Sequence, residues 1–152
     1  MPLLKFSDQQ LLVVISGPSG AGKDSVIKRL RERDPSLYFV VTTTDREARA
    51  DEVHGRDYFF VSETEFTKMI DRDELIEYAT VYGQHKGVPK SQVRRALESG
   101  RDVVMRLDVQ GAARIRALHP KCLLIFLATE SLDQLVNRLA LRRSEPAESM
   151  KI

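Results

Sequence analysis

Gly17, Pro18, Ser19, Gly20, Ala21, Gly22 and Lys23 spell G-x-x-x-x-G-K. In that string small residues let consecutive backbone N–H groups wrap an anion, and the lysine ammonium reaches the outer phosphates of a nucleotide. The position after the lysine usually carries Ser or Thr, whose hydroxyl holds Mg²⁺. Here it is Asp24, with Ser25 behind it. Either side chain is a candidate for the metal, the carboxylate directly or through water. The plain alternative is a Gly-rich turn between a strand and a helix; the flanking sequence fits phosphate as well as the string does.

Those flanks are the elements that must position the loop. Residues 11–15, Leu-Leu-Val-Val-Ile, form a short unbroken apolar run, the pattern of a strand buried on both faces of a parallel sheet. A helix opens after Lys23 with Val26, Ile27 and Leu30 on one face and its positive end toward the phosphates. It runs out near Arg33, ahead of Asp34 and Pro35. Residues 37–41 are predicted as a second apolar strand ending in Thr42, Thr43 and Thr44.

Residues 45–57 are polar and charge-rich, carrying Arg46, Arg49 and Arg56 with little to bury. They read as a loop laid over a site, against the alternative of a solvated surface loop. A short strand at 58–61 follows, then Ser62 and Glu65 as a capping box for a helix over 63–70. Residues 75–81 and 85–88 read as a hairpin turning at Gly83. Within it Glu77 lies either on a solvated face or in a cleft where it accepts ligand N–H bonds. Pro89 begins the next helix and Gly100 ends it. The parallel pattern then resumes, with a strand at 103–107 ending at Asp108, a helix through Leu118, a buried strand at 123–128, and a helix capped by Ser131 with Leu132, Leu135, Val136 and Leu139 on one face. Asp108 ends a strand on the edge that carries the phosphate loop, where an acid can serve Mg²⁺, a ligand amine or a helix cap. The alternation predicts a three-layer α/β fold with a parallel sheet.

The bulk properties narrow the class. The 152 residues are 42% hydrophobic and 30% charged, ordinary for one globular domain. A formal charge of +2, from 24 basic and 22 acidic residues, argues against binding along nucleic acid or a membrane surface, so an anion site must be local. Cys122 is the single cysteine and sits in an apolar run, which excludes an internal disulfide and suits an intracellular setting. Residues 1–10 have the pattern of neither a secretory signal nor a transit peptide.

With these residues assembled, the chain resembles the guanylate kinases over nearly its whole length. The matching strings are residues 17–23, residues 42–49, Gly55-Arg56-Asp57-Tyr58-Phe59-Phe60-Val61-Ser62, Glu77-Tyr78-Ala79, Gly87, and Asp108-Val109-Gln110-Gly111. The resemblance implies a P-loop NTPase fold and transfer of the γ-phosphoryl group of ATP, with Mg²⁺, to GMP or dGMP. ATP would lie on residues 17–25. GMP would be held by Thr42, Arg46, Arg49, Tyr58, Glu77, Lys86, Gly87 and Asp108. Of these, Arg46, Arg49 and Tyr58 would take the phosphate, and Thr42, Glu77 and Asp108 would read the guanine edge. Lys23, Arg46, Arg49, Arg138 and Arg142 would act on the transferred group. It also implies a core of residues 1–41 and 89–137, a GMP-binding segment at 42–88, and a partial lid at 138–152.

There are departures. Lys86 stands where the family often has Tyr, Val88 where a small hydroxyl residue is frequent, Arg106 where Asp is frequent, and Asp45 where Thr is frequent. Asp24, Lys86 and Arg106 together resemble the organellar guanylate kinases of plants, which sets a plastid or mitochondrion beside the default cytoplasm. Family chains continue through a further helix and strand, so a fragment or an impaired product is expected here. Two rival readings are a silent guanylate-kinase-like domain that binds proteins through the same cleft, and a phosphate-loop kinase for another small acceptor.

Overall fold

In the computed structural model, which describes residues 5–18 and 20–142, the first apolar run is strand β1 (Leu12–Ser16). After it come helix α1 (Lys23–Arg33), β2 (Tyr38–Phe39), β3 (Thr43–Thr44), β4 (Phe59–Phe60), α2 (Glu63–Asp71), β5 (Leu75–Val81) and β6 (Gln84–Pro89). Helix α3 (Lys90–Ser99), β7 (Val103–Arg106), α4 (Val109–Leu118), β8 (Leu123–Phe126) and α5 (Leu132–Arg142) complete the described chain.

Strand β1 lies between β7 and β8 in a four-stranded sheet ordered β2-β7-β1-β8, and every pairing in it is parallel. One face of the sheet takes Ile27 and Leu30 of α1 against Ile15, Val104 and Phe39. The other takes Val93 and Ala96 of α3 and Ala112 and Ile115 of α4 against Leu12, Val14, Val103 and Met105. A strand covered on both faces has no solvated side, which explains the unbroken apolar run. Cys122 is buried in the second of these clusters. Ile15 is in register with Arg106, and Ser16 with Phe126. The strands therefore finish together, and the phosphate loop, Arg106 and the start of α4 open on the same edge, where ligands bind in such sheets.

Residues 43–89 build a second sheet, ordered β4-β3-β6-β5. Its hairpin β5-β6 turns through Tyr82 and Gly83, both at positive φ (53° and 75°), the backbone of a two-residue turn matched to strand twist. The expected second strand is divided. The chain leaves the parallel sheet after Phe39, with the Val40 N–H still donated to the Val104 carbonyl at 3.0 Å. Thr43 and Thr44 then pair with Gly87 and Lys86 on one side and with Phe59 and Phe60 on the other. Ser62 caps α2 by accepting the Glu65 N–H at 3.0 Å, and Gly100 ends α3 at φ 66°.

Two packing expectations are corrected. Strand β8 ends at Phe126 and is an edge strand, with Leu123, Ile125 and Phe126 exposed, because among the described residues only β1 pairs with it. Ser131 Oγ does accept the Gln134 N–H at 3.2 Å at the start of α5, but Leu132 is exposed rather than part of a buried stripe. The side chains of Leu135 and Leu139 lie outside the described residues.

Candidate nucleotide site between the two sheets

The phosphate loop is shaped by close approach. Gly17 has φ 146°, and a Cβ there would lie 2.3 Å from the Leu127 carbonyl oxygen, so the loop can pass over β8 only with glycine. The Ala21 N–H is donated to the Pro18 carbonyl at 3.2 Å, and Gly22 enters α1 in the left-handed region at φ 98°. Lys23 Nζ donates to the Gly17 carbonyl at 2.5 Å, which lays the ammonium across the mouth of the loop. Burial, aided by the neighbouring Lys86 ammonium, lowers its pKa to about 8. Arg138 of α5 donates from Nη1 to the Gly20 carbonyl at 3.3 Å and so stands over the loop. Ser19 and the Arg142 side chain lie outside the described residues, as do residues 143–152 of the expected lid.

Facing the loop is a ring of cations around Tyr58, which is only 6% exposed. The guanidinium carbons of Arg106 and Arg46 lie 4.1 and 5.2 Å from the ring centroid, and Lys86 Nζ lies 5.9 Å from it. Arg46 is buried and held by Glu52 through both carboxylate oxygens; it also donates to the Glu47 carbonyl at 2.8 Å. Glu52 takes the Arg49 N–H as well, at 2.8 Å, so one acid orients both arginines. Burial alone would raise the Glu52 pKa, but the Arg46 guanidinium and the Arg49 N–H, with the charge of both arginines, hold it below the ordinary carboxylate range. Glu52 is a site residue that sequence reasoning passes over. An acid six places after an arginine in a polar loop has no periodicity to mark it, and its one signal is its place among the arginines.

Two acids stand near Lys23: Asp108, which acts on its ammonium, and, beside Asp108, Glu77, which lines a separate cavity of about 600 Å³ with Tyr78 and Arg114. Leu75, Glu77 and Ala79 alternate inward along β5, so Glu77 is buried, at 7% exposure, and not on a solvated face. Its carboxylate lies against Gly111 in the first turn of α4; a Cβ on Gly111 would be 3.1 Å from Oε1. Oε2 is buried without a hydrogen-bond partner, with Arg114 3.8 Å away. Burial, and after it the Asp108 carboxylate, raise the Glu77 pKa to about 7. Asp108 caps α4, its Oδ1 accepting the Gly111 N–H at 2.9 Å. Thr42, buried, donates from Oγ1 to the Arg106 carbonyl at 3.4 Å. Gly87 is closely packed in the hairpin: a Cβ there would come within 2.9 Å of Leu75 Cδ1 and 3.1 Å of the Glu77 carbonyl oxygen and Tyr78 Cβ.

Asp24, Ser25, Arg49, Asp57 and Arg106 line an open cavity of about 880 Å³. Among the described residues no group of three or more His, Cys, Asp or Glu side chains could hold a metal ion. Of the two loop side chains, Asp24 turns both carboxylate oxygens to guanidiniums, with Arg106 Nη1 at 2.7 Å and Arg49 Nη1 at 3.6 Å. Ser25 is exposed on the same wall.

A phosphate loop at the carboxyl edge of a parallel sheet, faced by arginines on an inserted sheet, defines a phosphate-loop kinase fold. The guanylate kinase family model matches residues 9–152, and the chain belongs to that family. It is 49% identical over 145 residues to guanylate kinase 2, chloroplastic/mitochondrial, of Oryza sativa subsp. japonica, covering 95% of this chain and 51% of that protein. It is 48% identical over 139 residues to the guanylate kinase of Rhodococcus jostii, covering 90% of this chain and 67% of that one. The crystal structure of guanylate kinase from Anaplasma phagocytophilum superposes with a TM-score of 0.72 at 29% identity, over 93% of this chain and 71% of that one. The chain thus spans about half the length of the rice relative and two thirds of the bacterial one.

Proposed function

We propose that the chain carries the phosphate loop and acceptor site of an ATP:GMP phosphotransferase, residues 42–88 being the GMP-binding segment. One observation carries the reading. Arg46, Arg106 and Lys86 gather around Tyr58, Lys86 and Asp108 both act on the Lys23 ammonium, and Asp108 acts in turn on Glu77; cations followed by two acids complement a nucleotide with a phosphate at one end and adjacent N–H donors on its base at the other. Guanine offers a ring N–H beside an exocyclic amine; adenine offers no such pair, and AMP would leave buried carboxylates unmatched.

Phosphoryl transfer needs alignment and charge neutralisation rather than covalent chemistry from the protein. Lys23 and the loop amides hold the donor phosphates. Arg46, Arg49, Tyr58 and Lys86 align the acceptor phosphate, itself the nucleophile, so no general base is required. Arg138, already bonded to the loop, covers the transferred group. The burial of Arg46 and Tyr58 away from water strengthens their contacts with an anion. Kinases of this family work with Mg²⁺, and bound with ATP it would neutralise phosphate charge; Ser25 is the loop oxygen open to it. The name of the rice relative supports a plastid or mitochondrial setting.

Calorimetric titration with GMP and AMP, and ADP release with ATP and either acceptor, test the reading. GMP binding with GMP-dependent ADP release is expected. Equal responses to AMP would overturn the base assignment, and GMP binding without ADP release would leave a binding domain.

A further inference from the structure

Asp24 occupies the loop position where a hydroxyl is expected, and its surroundings show what the carboxylate does. Arg106 Nη1 donates to Asp24 Oδ1 at 2.7 Å, while Arg106 Nη2 donates to the Asp57 carbonyl at 2.5 Å. The same guanidinium lies 4.1 Å over the Tyr58 ring, and its side chain is 10% exposed. Asp24 Oδ2 faces Arg49 Nη1 at 3.6 Å. Three parts of the fold therefore meet at one carboxylate: the first turn of α1, the end of β7, and the inserted segment through Arg49, Asp57 and Tyr58.

A guanidinium so buried needs a counter-charge, and its planar fork engages two acceptors at once while stacking on an aromatic face. A divalent cation at Asp24 would have to displace one guanidinium and sit beside another. We propose that Asp24 and Arg106 are a positioning pair for the acceptor: Asp24 is the counter-ion that sets Arg106 and Arg49, not a metal ligand, and Arg106 fixes Tyr58 toward the acceptor phosphate. The loop of the donor site is thereby tied to the phosphate clamp of the acceptor site by one ion pair. Arg106 already carries a sequence signal, a charge ending the otherwise apolar run Val-Val-Met. Asp24 carries one too, as the departure in the phosphate loop, but nothing in the sequence pairs it with an arginine 82 residues away.

The pair rests on the guanylate kinase reading, and the test separates the two. GMP affinity is measured by calorimetry without ATP and with metal chelated, for the wild type, Asp24→Asn, Arg106→Gln and the double variant. Each single change is expected to weaken GMP binding by about tenfold, and the double variant no more than Arg106→Gln alone, as for residues that act through each other. The Mg²⁺ midpoint of ADP release is expected to stay within about twofold of wild type in Asp24→Asn. Unchanged GMP affinity with a raised Mg²⁺ midpoint would make Asp24 a metal ligand and overturn the pair, as would losses that multiply in the double variant. Arg106→Lys keeps the charge beside Asp24 without the fork, and should bind GMP more tightly than Arg106→Gln but less tightly than wild type; wild-type affinity would remove the fork's role. A wild type that binds no GMP would sink the functional reading and the acceptor role with it. The same cycle on the melting midpoint of the ligand-free protein would then decide the ion pair, additive losses excluding it.

Discussion

Glu52 receives Arg46 through both carboxylate oxygens, Nη1 to Oε1 at 2.8 Å and Nη2 to Oε2 at 2.9 Å, with both side chains under a tenth exposed. Arg46 is thus held by an acid on its own loop, and the bidentate fork fixes its plane as well as its position. The arrangement holds a buried cation ready for an anionic phosphate while keeping it neutralised when the site is empty.

Breaking that pair should cost stability before it costs chemistry. Glu52→Gln leaves Arg46 charged and buried with a neutral partner, a loss of about 3 kcal/mol by comparison with other broken buried pairs. Urea unfolding with and without GMP reads it. The loss is expected to shrink when GMP supplies a replacement anion, and a loss unchanged by GMP would separate Arg46 from the phosphate.

Glu77 gives the site a pH dependence whose sign follows from its raised pKa of about 7. A carboxyl that holds its proton more tightly folded than unfolded destabilises the fold as pH rises from about 4.5 to 7. At about 1.4 kcal/mol per tenfold, the penalty above pH 7 is about 3 kcal/mol. Glu77→Gln should therefore match wild type near pH 4 and exceed it in stability at pH 8. Guanine needs the ionised acid, so wild-type GMP affinity should fall by up to about tenfold per pH unit below pH 6. A flat affinity profile between pH 5 and 8 would show that Glu77 does not contact the base.

What the sequence reveals here follows how locally each feature is encoded. The phosphate loop, β1 and β5 are legible because their patterns are complete within a few residues. Thr43 and Thr44 look like the tail of β2 because the change of sheet at Thr42 is set by pairing with Gly87 and Lys86, over forty positions on. The exposure of Leu123 and Phe126 depends on whether a neighbouring strand exists, which an apolar run cannot report. Glu52, and the pairing of Asp24 with Arg106, are hidden for a related reason: ion pairs leave no periodic spacing to read.

Arg49 lies close to Asp24, with its backbone N–H held by Glu52, and in the proposed mechanism it faces the phosphates. Removing one preorganised donor to a developing charge typically costs about 3 kcal/mol of transition-state stabilisation. Arg49→Ala should therefore lower kcat/KM by about a hundredfold. Unchanged turnover would remove Arg49 from the mechanism.

Gly111 decides where the Glu77 carboxylate can sit. A methyl group there would meet Oε1 at 3.1 Å and Oε2 at 3.3 Å, tighter than ordinary van der Waals contact, while Asp108 is pinned to the same residue through its N–H. Gly111→Ala should leave helix α4 intact, since alanine is the better helix former. It should instead push Glu77 away from α4 and part the two acids, raising KM for GMP by about tenfold, on the order of one lost hydrogen bond to a charged group, with KM for ATP unmoved. Steady-state kinetics with each substrate varied in turn reads the difference. A rise confined to KM for ATP, or no change in either, would place the base elsewhere than between β5 and α4.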